Sequence, residues 1–308
     1  MPFFRDKRWY LFFGKKDIIG SRKMMIDFWK SHEKYHVQVR KKKGNIERMK
    51  KAVFFDIDGT IWNEHMEIPE STIRAVRQLR ENGHYAFLCS GRSRSNIRSK
   101  KLLEIGFDGV IAACGTHVDF HGDTVFERLL TVEELEHAVG VLKEFEIPMV
   151  LEGPRIIYVN DEDFKEDPYV NHLRMELGED VKEIPKDFSK AAVNKLAAAK
   201  PGIDLPALRE ALGESFEVIA HVEHVLEINP TGFSKATGIE KVCEIFGVAI
   251  EDTYAFGDSA NDIEMLSYVA NGIAMGNATD DAKNVADYIT NTLEDDGIYH
   301  GLRHFGLI

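Results

Sequence analysis

No apolar run in this chain approaches the roughly 18–20 residues that a helix needs to cross a bilayer. Yet 44 % of its 308 residues are hydrophobic. The expectation is a soluble protein with a sizeable core that needs no disulfides or metals to hold it. Cysteine is scarce. The three present, Cys89, Cys114 and Cys243, are odd in number and widely spaced, which is neither a disulfide framework nor a zinc pattern. Each stands among apolar neighbours and reads as a small buried hydrophobe. A reducing, cytoplasmic setting suits them. Internal repeats and low-complexity tracts do not stand out.

Positive charge is scarce after the first 50 residues. The net charge is −12, from 39 Lys+Arg and 51 Asp+Glu. Residues 1–50 take 15 of the basic and 5 of the acidic residues, which leaves 24 basic and 46 acidic for the rest. Such an acidic body is a poor nucleic-acid surface. Small molecules or divalent cations are the expected partners. The basic segment 1–50 has no sustained period. It lacks an apolar stretch of about 7–15 residues, so it does not read as a secretory signal. It reads as a disordered leader or an extension not natively translated, because Met49 directly precedes "KKAVFFDIDGT". A basic, aromatic-bearing arm that touches anionic membrane or RNA is the other reading.

What is present from residue 51 is an alternation of strand and helix. "AVFF", "YAFLC" (85–89), "GVIAAC" (109–114), "TYAFGD" (253–258), "GIAMG" (272–276) and "YIT" (288–290) are short apolar strands. "STIRAVRQLRENG" is a helix with Ile73, Val76 and Leu79 on one face, and a polar helix is expected from about Ser93. This pattern predicts a parallel sheet covered on both faces. The middle differs. "TVEELEHAVGVLKEF" opens with a capping box, Thr131 with Glu134, and carries a helical apolar stripe. "MVLE" and "IIYV" flank Gly153-Pro154 as a hairpin. Helices near 163–177 and 204–212 and strands "AVNKLAAA", "FEVIAHV" and "VLEI" complete an α+β module. The expected organisation is an α/β core, 51–129 plus 229–308, with this module inserted at 130–228.

Ligands of open α/β sheets bind beyond the carboxyl ends of the strands. There the sequence puts Asp56 and Asp58 in "FFDIDGT", Ser90 in "LCSGR" and Asp258 in "FGDSAND". Lys235, in "NPTGFSKATG", opens a helix whose apolar face reads Ile239, Val242 and Ile245. Several carboxylates cannot gather without a cation. Hard oxygen ligands with room for water favour Mg²⁺. One carboxylate spared from full neutralisation can attack an electrophile. Ser90, the backbone N–H groups beside it and Lys235 are the parts of a phosphate cradle. The sum is a site for phosphoryl transfer through an aspartyl-phosphate. Alone, the Asp-x-Asp pair could be a turn, Ser90 a helix cap and Lys235 a solvated helix start. Their shared order, each at a strand end or helix start, argues for one site.

With "DIDGT", "CSGR", Lys235 and "GDSAND" in that order, residues 50–308 resemble the haloacid dehalogenase (HAD) superfamily of phosphatases. "EINPTGFSKATGIEKV", "AMGNATDDAKNVADYIT" and "EDDGIYHGL" are similar to its Cof-like subfamily with a type IIB cap. The resemblance implies a Rossmann-like core with an inserted α+β cap, and hydrolysis of a small phosphorylated metabolite, sugar phosphates first. It implies Asp56 as nucleophile and Asp58 as general acid and then base. It assigns Mg²⁺ to Asp56, the Asp58 carbonyl and Asp258, with Asp262 in support. Ser90 and the Gly91 amide would grip the phosphoryl oxygens, Asn261 would complete that network, and Lys235 would balance charge. Cys114-Gly115-Thr116 stands where the subfamily often has Asn-Gly-Ala. A phosphomannomutase-like phosphotransferase and a non-catalytic binding protein are the rival readings, and the missing membrane helices exclude a transport ATPase. Glu152, Arg155, His221 and His224 lie in the inserted module, where specificity would be set.

Overall fold

Strand β1 (Ala52–Phe55) is buried at every position. Only a central strand of a sheet covered on both faces is apolar throughout. It lies between β2 (Tyr85–Cys89) and β12 (Thr253–Gly257), parallel to both. The computed structural model describes residues 50–165, 167–220 and 225–308. Residues 1–49 lie outside the described residues, and with them the readings of the basic leader. His221 and His224 lie outside them too.

The first sheet runs β14-β13-β12-β1-β2-β3-β4-β5. Here β3 is Gly109–Ala112, β4 His117–Phe120, β5 Asp123–Glu127, β13 Asn271–Ala274 and β14 Tyr288–Ile289. The six strands from β14 to β3 are parallel, whereas β4 and β5 are antiparallel. The expected parallel sheet therefore carries an antiparallel hairpin at one edge. Its turn, His121-Gly122, has positive φ at both residues, the geometry of a tight two-residue hairpin.

Alternation along β1 sends adjacent phenylalanines to opposite faces. Phe54 stacks on Phe87, which lies near Phe246 at the end of α6 (Lys235–Phe246). Phe55 stacks on Phe256, against whose ring Gly301 of α9 (Gly297–His304) packs. On α1 (Glu70–Glu81) the buried face is Thr72, Ala75, Val76 and Leu79, with Ile73 at its edge. On α6 it is Lys235, Gly238, Ile239 and Val242. Ile245, expected inside, is 45 % exposed. Gly238 is the reason. A Cβ there would lie 2.5 Å from Ile111 and 2.8 Å from Gly115, so the helix turns its small residue toward the sheet. The polar helix expected from Ser93 is a 3-10 turn, Arg94–Asn96, followed by the short α2 (Lys100–Leu103).

The second sheet runs β10-β11-β9-β6-β7-β8. It is built from β6 (Met149–Glu152), β7 (Ile157–Val159), β8 (Val181–Glu183), β9 (Lys195–Ala199), β10 (Phe216–Ala220) and β11 (Val225–Pro230). One face carries Leu151, Leu196 and Ile228 against α3 (Val132–Glu144) and α5 (Leu205–Leu212). The capping box of α3 forms as read, Thr131 with Glu134. The other face packs Val150, Ile157 and Val159 against Val170 and Leu173 of α4 (Pro168–Leu177). No helix among the described residues is long and apolar enough to cross a membrane.

Candidate active site

Register alone assembles the site. Phe55 pairs with Leu88 on one side and Phe256 on the other. Two residues further along, the three strands deliver Ile57, Ser90 and Asp258 to one level. Asp56, 4 % exposed, sits just inside that edge. Its Oδ1 accepts a hydrogen bond from Lys235 Nζ at 2.6 Å. Lys235 is the first residue of α6, fixed by a Ser234–Thr237 capping box. The ammonium also donates to Asp262 Oδ1 at 2.7 Å and to Asn261 Oδ1 at 3.3 Å. Asp262 Oδ2 accepts from the backbone N–H groups of Asp258 and Ser259, at 2.9 and 3.0 Å, which curls the "GDSAND" loop. Thr60 Oγ1 donates to Asp258 Oδ1 at 2.8 Å. Gly59, at φ +81, presses its α-carbon on Asp258, and a Cβ there would lie 2.3 Å from Oδ2.

The electrostatics are short of positive charge. Asp56, Asp258 and Asp262 each offer a carboxylate oxygen, all within 4.8 Å of one another. One ammonium faces three carboxylates. Burial, only partly opposed by Lys235, pushes the Asp56 carboxyl well above its ordinary range, and Asp262 and Asp258 push it further. Burial and then Asp262 raise Asp258 to about 7. Burial works to discharge Lys235, but Asp262 and Asp56 outweigh it and hold the ammonium charged. This is an all-oxygen donor set with unbalanced negative charge, and it could hold a metal ion.

Asp58 lies outside this buried triangle. Arg92 grips it with two hydrogen bonds, Nε to Oδ2 at 2.7 Å and Nη2 to Oδ1 at 2.8 Å. Trp62 Nε1 donates to Oδ1 at 2.8 Å, and the Arg92 guanidinium sits over the Trp62 ring. Burial alone would raise the Asp58 carboxyl, but Arg92 and then Trp62 hold it below its ordinary range. Neither partner was read from the sequence. Arg92 was within reach there, two residues past Ser90 in "CSGR". Ser90 is buried, and its Oγ accepts from Arg92 N at 3.2 Å. The Gly91 carbonyl faces the second sheet, where Lys195 Nζ donates to it at 2.9 Å.

Cys114 departs from the reading of a plain buried hydrophobe. Ala113, Cys114 and Gly115 all have positive φ. Asparagine visits this left-handed region more readily than cysteine. Here the Cys114 thiol donates to Glu227 Oε1 at 2.8 Å, and burial with the Glu227 charge raises it well above its ordinary range. Of the specificity candidates, Glu152 is buried and Arg155 is exposed.

Residues 53–302 match the family model of haloacid dehalogenase-like hydrolases. The chain belongs to this family and is a phosphatase of the HAD superfamily. Among its relatives is YkrA of Bacillus subtilis, named as a phosphatase, 33 % identical over 84 % of this chain and 98 % of that protein. The 5-amino-6-(5-phospho-D-ribitylamino)uracil phosphatase YitU of the same organism is 30 % identical over 82 % of this chain and 96 % of its own. Among solved structures, the HAD subclass IIB sugar phosphatase BT4131 superposes with a TM-score of 0.73 at 27 % identity, over 84 % of this chain and all of that one.

Proposed function

We propose that this chain is a Mg²⁺-dependent cytoplasmic phosphatase of small phosphomonoesters, sugar phosphates first, which works through an aspartyl-phosphate on Asp56. The observation that carries the reading is the triangle of Asp56, Asp258 and Asp262 drawn around Lys235, with Asp58 held just outside it by Arg92. Asp56, the Asp58 carbonyl and Asp258, with Asp262 in support, would hold Mg²⁺. The ion would supply positive charge for the transferring phosphoryl oxygens. Ser90 Oγ, the Gly91 N–H and Asn261 bind those oxygens. Lys235 favours the ionised form of Asp56 against burial and orients it.

An Asp56 oxygen attacks phosphorus and the bond to the leaving oxygen breaks. Asp58, which Arg92 holds as a carboxylate, first takes up a proton from solvent and then gives it to that oxygen, so the product leaves as an alcohol. Asp58, now a carboxylate, takes a proton from water as the water attacks phosphorus. The bond between phosphorus and Asp56 breaks, which releases inorganic phosphate and restores the enzyme. The second sheet and its helices act as the cap that excludes bulk water and reads the leaving group.

Phosphate release from a panel of phosphate esters, with Mg²⁺ and with chelator, tests this reading. Release should require the ion and vanish in Asp56→Asn. Release that survives in Asp56→Asn would overturn the covalent route. Transfer of the phosphoryl group to an added sugar at the expense of water would make the protein a phosphotransferase.

A further inference from the structure

The face of the second sheet that meets Gly91 carries a polar group that the chemistry above does not use. Glu152 on β6 is in direct register with Lys195 on β9. Glu227 on β11 pairs with Ala197, two residues from Lys195 and so on the same face. Asn229 is two residues further along β11, again on that face. Under α4 this face packs Val150, Ile157 and Val159, with Glu183 of β8 beside Val159 at the exposed edge. Toward the phosphate loop it turns polar, and Glu217 of β10 pairs with Asn229. There Lys195 Nζ donates to Glu227 Oε1 at 2.5 Å and to the Gly91 carbonyl at 2.9 Å. The Glu227 carboxylate in turn lies against Gly91, 3.1 Å from where a Cβ would be.

Glu152, Lys195, Glu227 and Asn229 are each 5 % exposed or less. Buried polar atoms are nearly always satisfied, and an unmade hydrogen bond is costly. Yet Glu152 Oε2 and both side-chain polar atoms of Asn229 have no hydrogen-bond partner among the described residues. Glu152 Oε2 is 3.9 Å from Lys195 Nζ, too far for a hydrogen bond. Three unsatisfied atoms on one buried face, tied by Lys195 to the loop that follows Ser90, mark a place built for a ligand's own polar groups.

We propose that Glu152 and Asn229, with Lys195 and Glu227 fixing them to the Gly91 loop, form the subsite that reads hydroxyl groups of the leaving alcohol. This rests on the phosphatase reading and names the residues that set its specificity. The chemistry selects the ligand. Glu152 Oε2 and Asn229 Oδ1 need donors, and Asn229 Nδ2 needs an acceptor. Neighbouring hydroxyls do both. Two carboxylates against one ammonium disfavour a second anionic group on the substrate. Nothing on the face would gain from a bare alkyl chain.

The test compares kcat/KM for a six-carbon polyol phosphate, n-hexyl phosphate, phosphoglycolate, phosphoethanolamine and p-nitrophenyl phosphate. The protein is the full chain, as wild type and as Asn229→Leu and Glu152→Gln, with circular dichroism melts to establish folding. Wild type should prefer the polyol ester to the hexyl ester by about 100-fold or more, because a site built to hydrogen-bond hydroxyls rejects analogues that lack them. Asn229→Leu should shrink that ratio by about tenfold or more, chiefly through KM, as expected for lost ground-state binding. Glu152→Gln should shrink it by less. Equal rates for the polyol and hexyl esters, a preference for phosphoglycolate or phosphoethanolamine, or a ratio unchanged in folded Asn229→Leu would each overturn the subsite. These results leave the phosphatase reading standing as long as any ester is hydrolysed. No release even from p-nitrophenyl phosphate would strike that reading itself.

Discussion

Lys235→Met removes one cation from between two carboxylates and nearly preserves volume. The Lys235 side chain is 1 % exposed, and the side chains of its partners Asp56 and Asp262 are 5 % and 0 % exposed. Both contacts are short, 2.6 and 2.7 Å. Breaking a buried ion pair from one side costs about 3–5 kcal/mol, because the abandoned charge keeps its desolvation penalty. Two abandoned carboxylates put this site at the upper end. For a protein this size that is a fall in Tm of about 6–20 °C. The control is Lys241→Met, which breaks an exposed pair with Glu244 and should cost less than about 1 kcal/mol. Urea unfolding of both variants at neutral pH measures the contrast. A double variant sharpens it. Asp262→Asn keeps an oxygen for the backbone N–H groups of Asp258 and Ser259 and removes one of the stranded charges. Lys235→Met with Asp262→Asn should therefore be more stable than the sum of the two single losses predicts. Strict additivity, or a Lys235→Met variant as stable as Lys241→Met, would refute the idea that this ammonium holds the acidic triangle together.

Gly59→Ala should cost about 2 kcal/mol in stability, from the left-handed backbone alone, and about 100-fold in kcat as Asp258 is pushed aside; urea unfolding and steady-state kinetics measure the two. Arg92→Ala should release Asp58 and lower kcat about tenfold or more for an alkyl ester. With p-nitrophenyl phosphate, whose leaving group needs no proton, the loss should be smaller, and an equal loss would deny Asp58 its role as acid. Burial works against ionising Asp119, but His117 at 2.7 Å and Arg94 at 2.5 Å bring its carboxyl down to about 2. A depressed carboxyl stabilises the fold above its unfolded pKa and loses that contribution as pH falls through its folded one. About 2–3 kcal/mol should therefore disappear between roughly pH 4 and pH 2. Urea unfolding across that range should show the slope in wild type and a reduced slope in Asp119→Asn.

The core was legible because its strands are buried on both faces and so read as unbroken apolar runs. "AVFF" and "TYAFG" leave no other assignment, and their ends carry Asp56 and Asp258. Lys235 was legible as the first residue of an amphipathic helix. The edge hairpin β4–β5 was not, because "HVDFHGDTVFE" mixes charge into both faces and β5 is mostly exposed. His121-Gly122 was its one local signal. Ile245 was misplaced because periodicity sees side chains and not the close approach of Gly238 to Gly115. The grip of Arg92 and Trp62 on Asp58 is a contact between loops, which spacing alone does not reveal. The group of Glu152, Lys195, Glu227 and Asn229 comes from three strands that are neighbours in the sheet but are separated in the chain by β7, β8 and β10. Only the fold brings it together beside Gly91.

Trapping the phosphoryl-enzyme tests the central claim most directly. A substrate with a labelled phosphoryl group would be mixed with enzyme and Mg²⁺, quenched in acid within one turnover, and the peptides mapped. The account predicts label on the peptide that holds Asp56, absent from Asp56→Asn and chased off by unlabelled substrate. Full turnover with no labelled peptide at any quench time, or label on a residue other than Asp56, would contradict it.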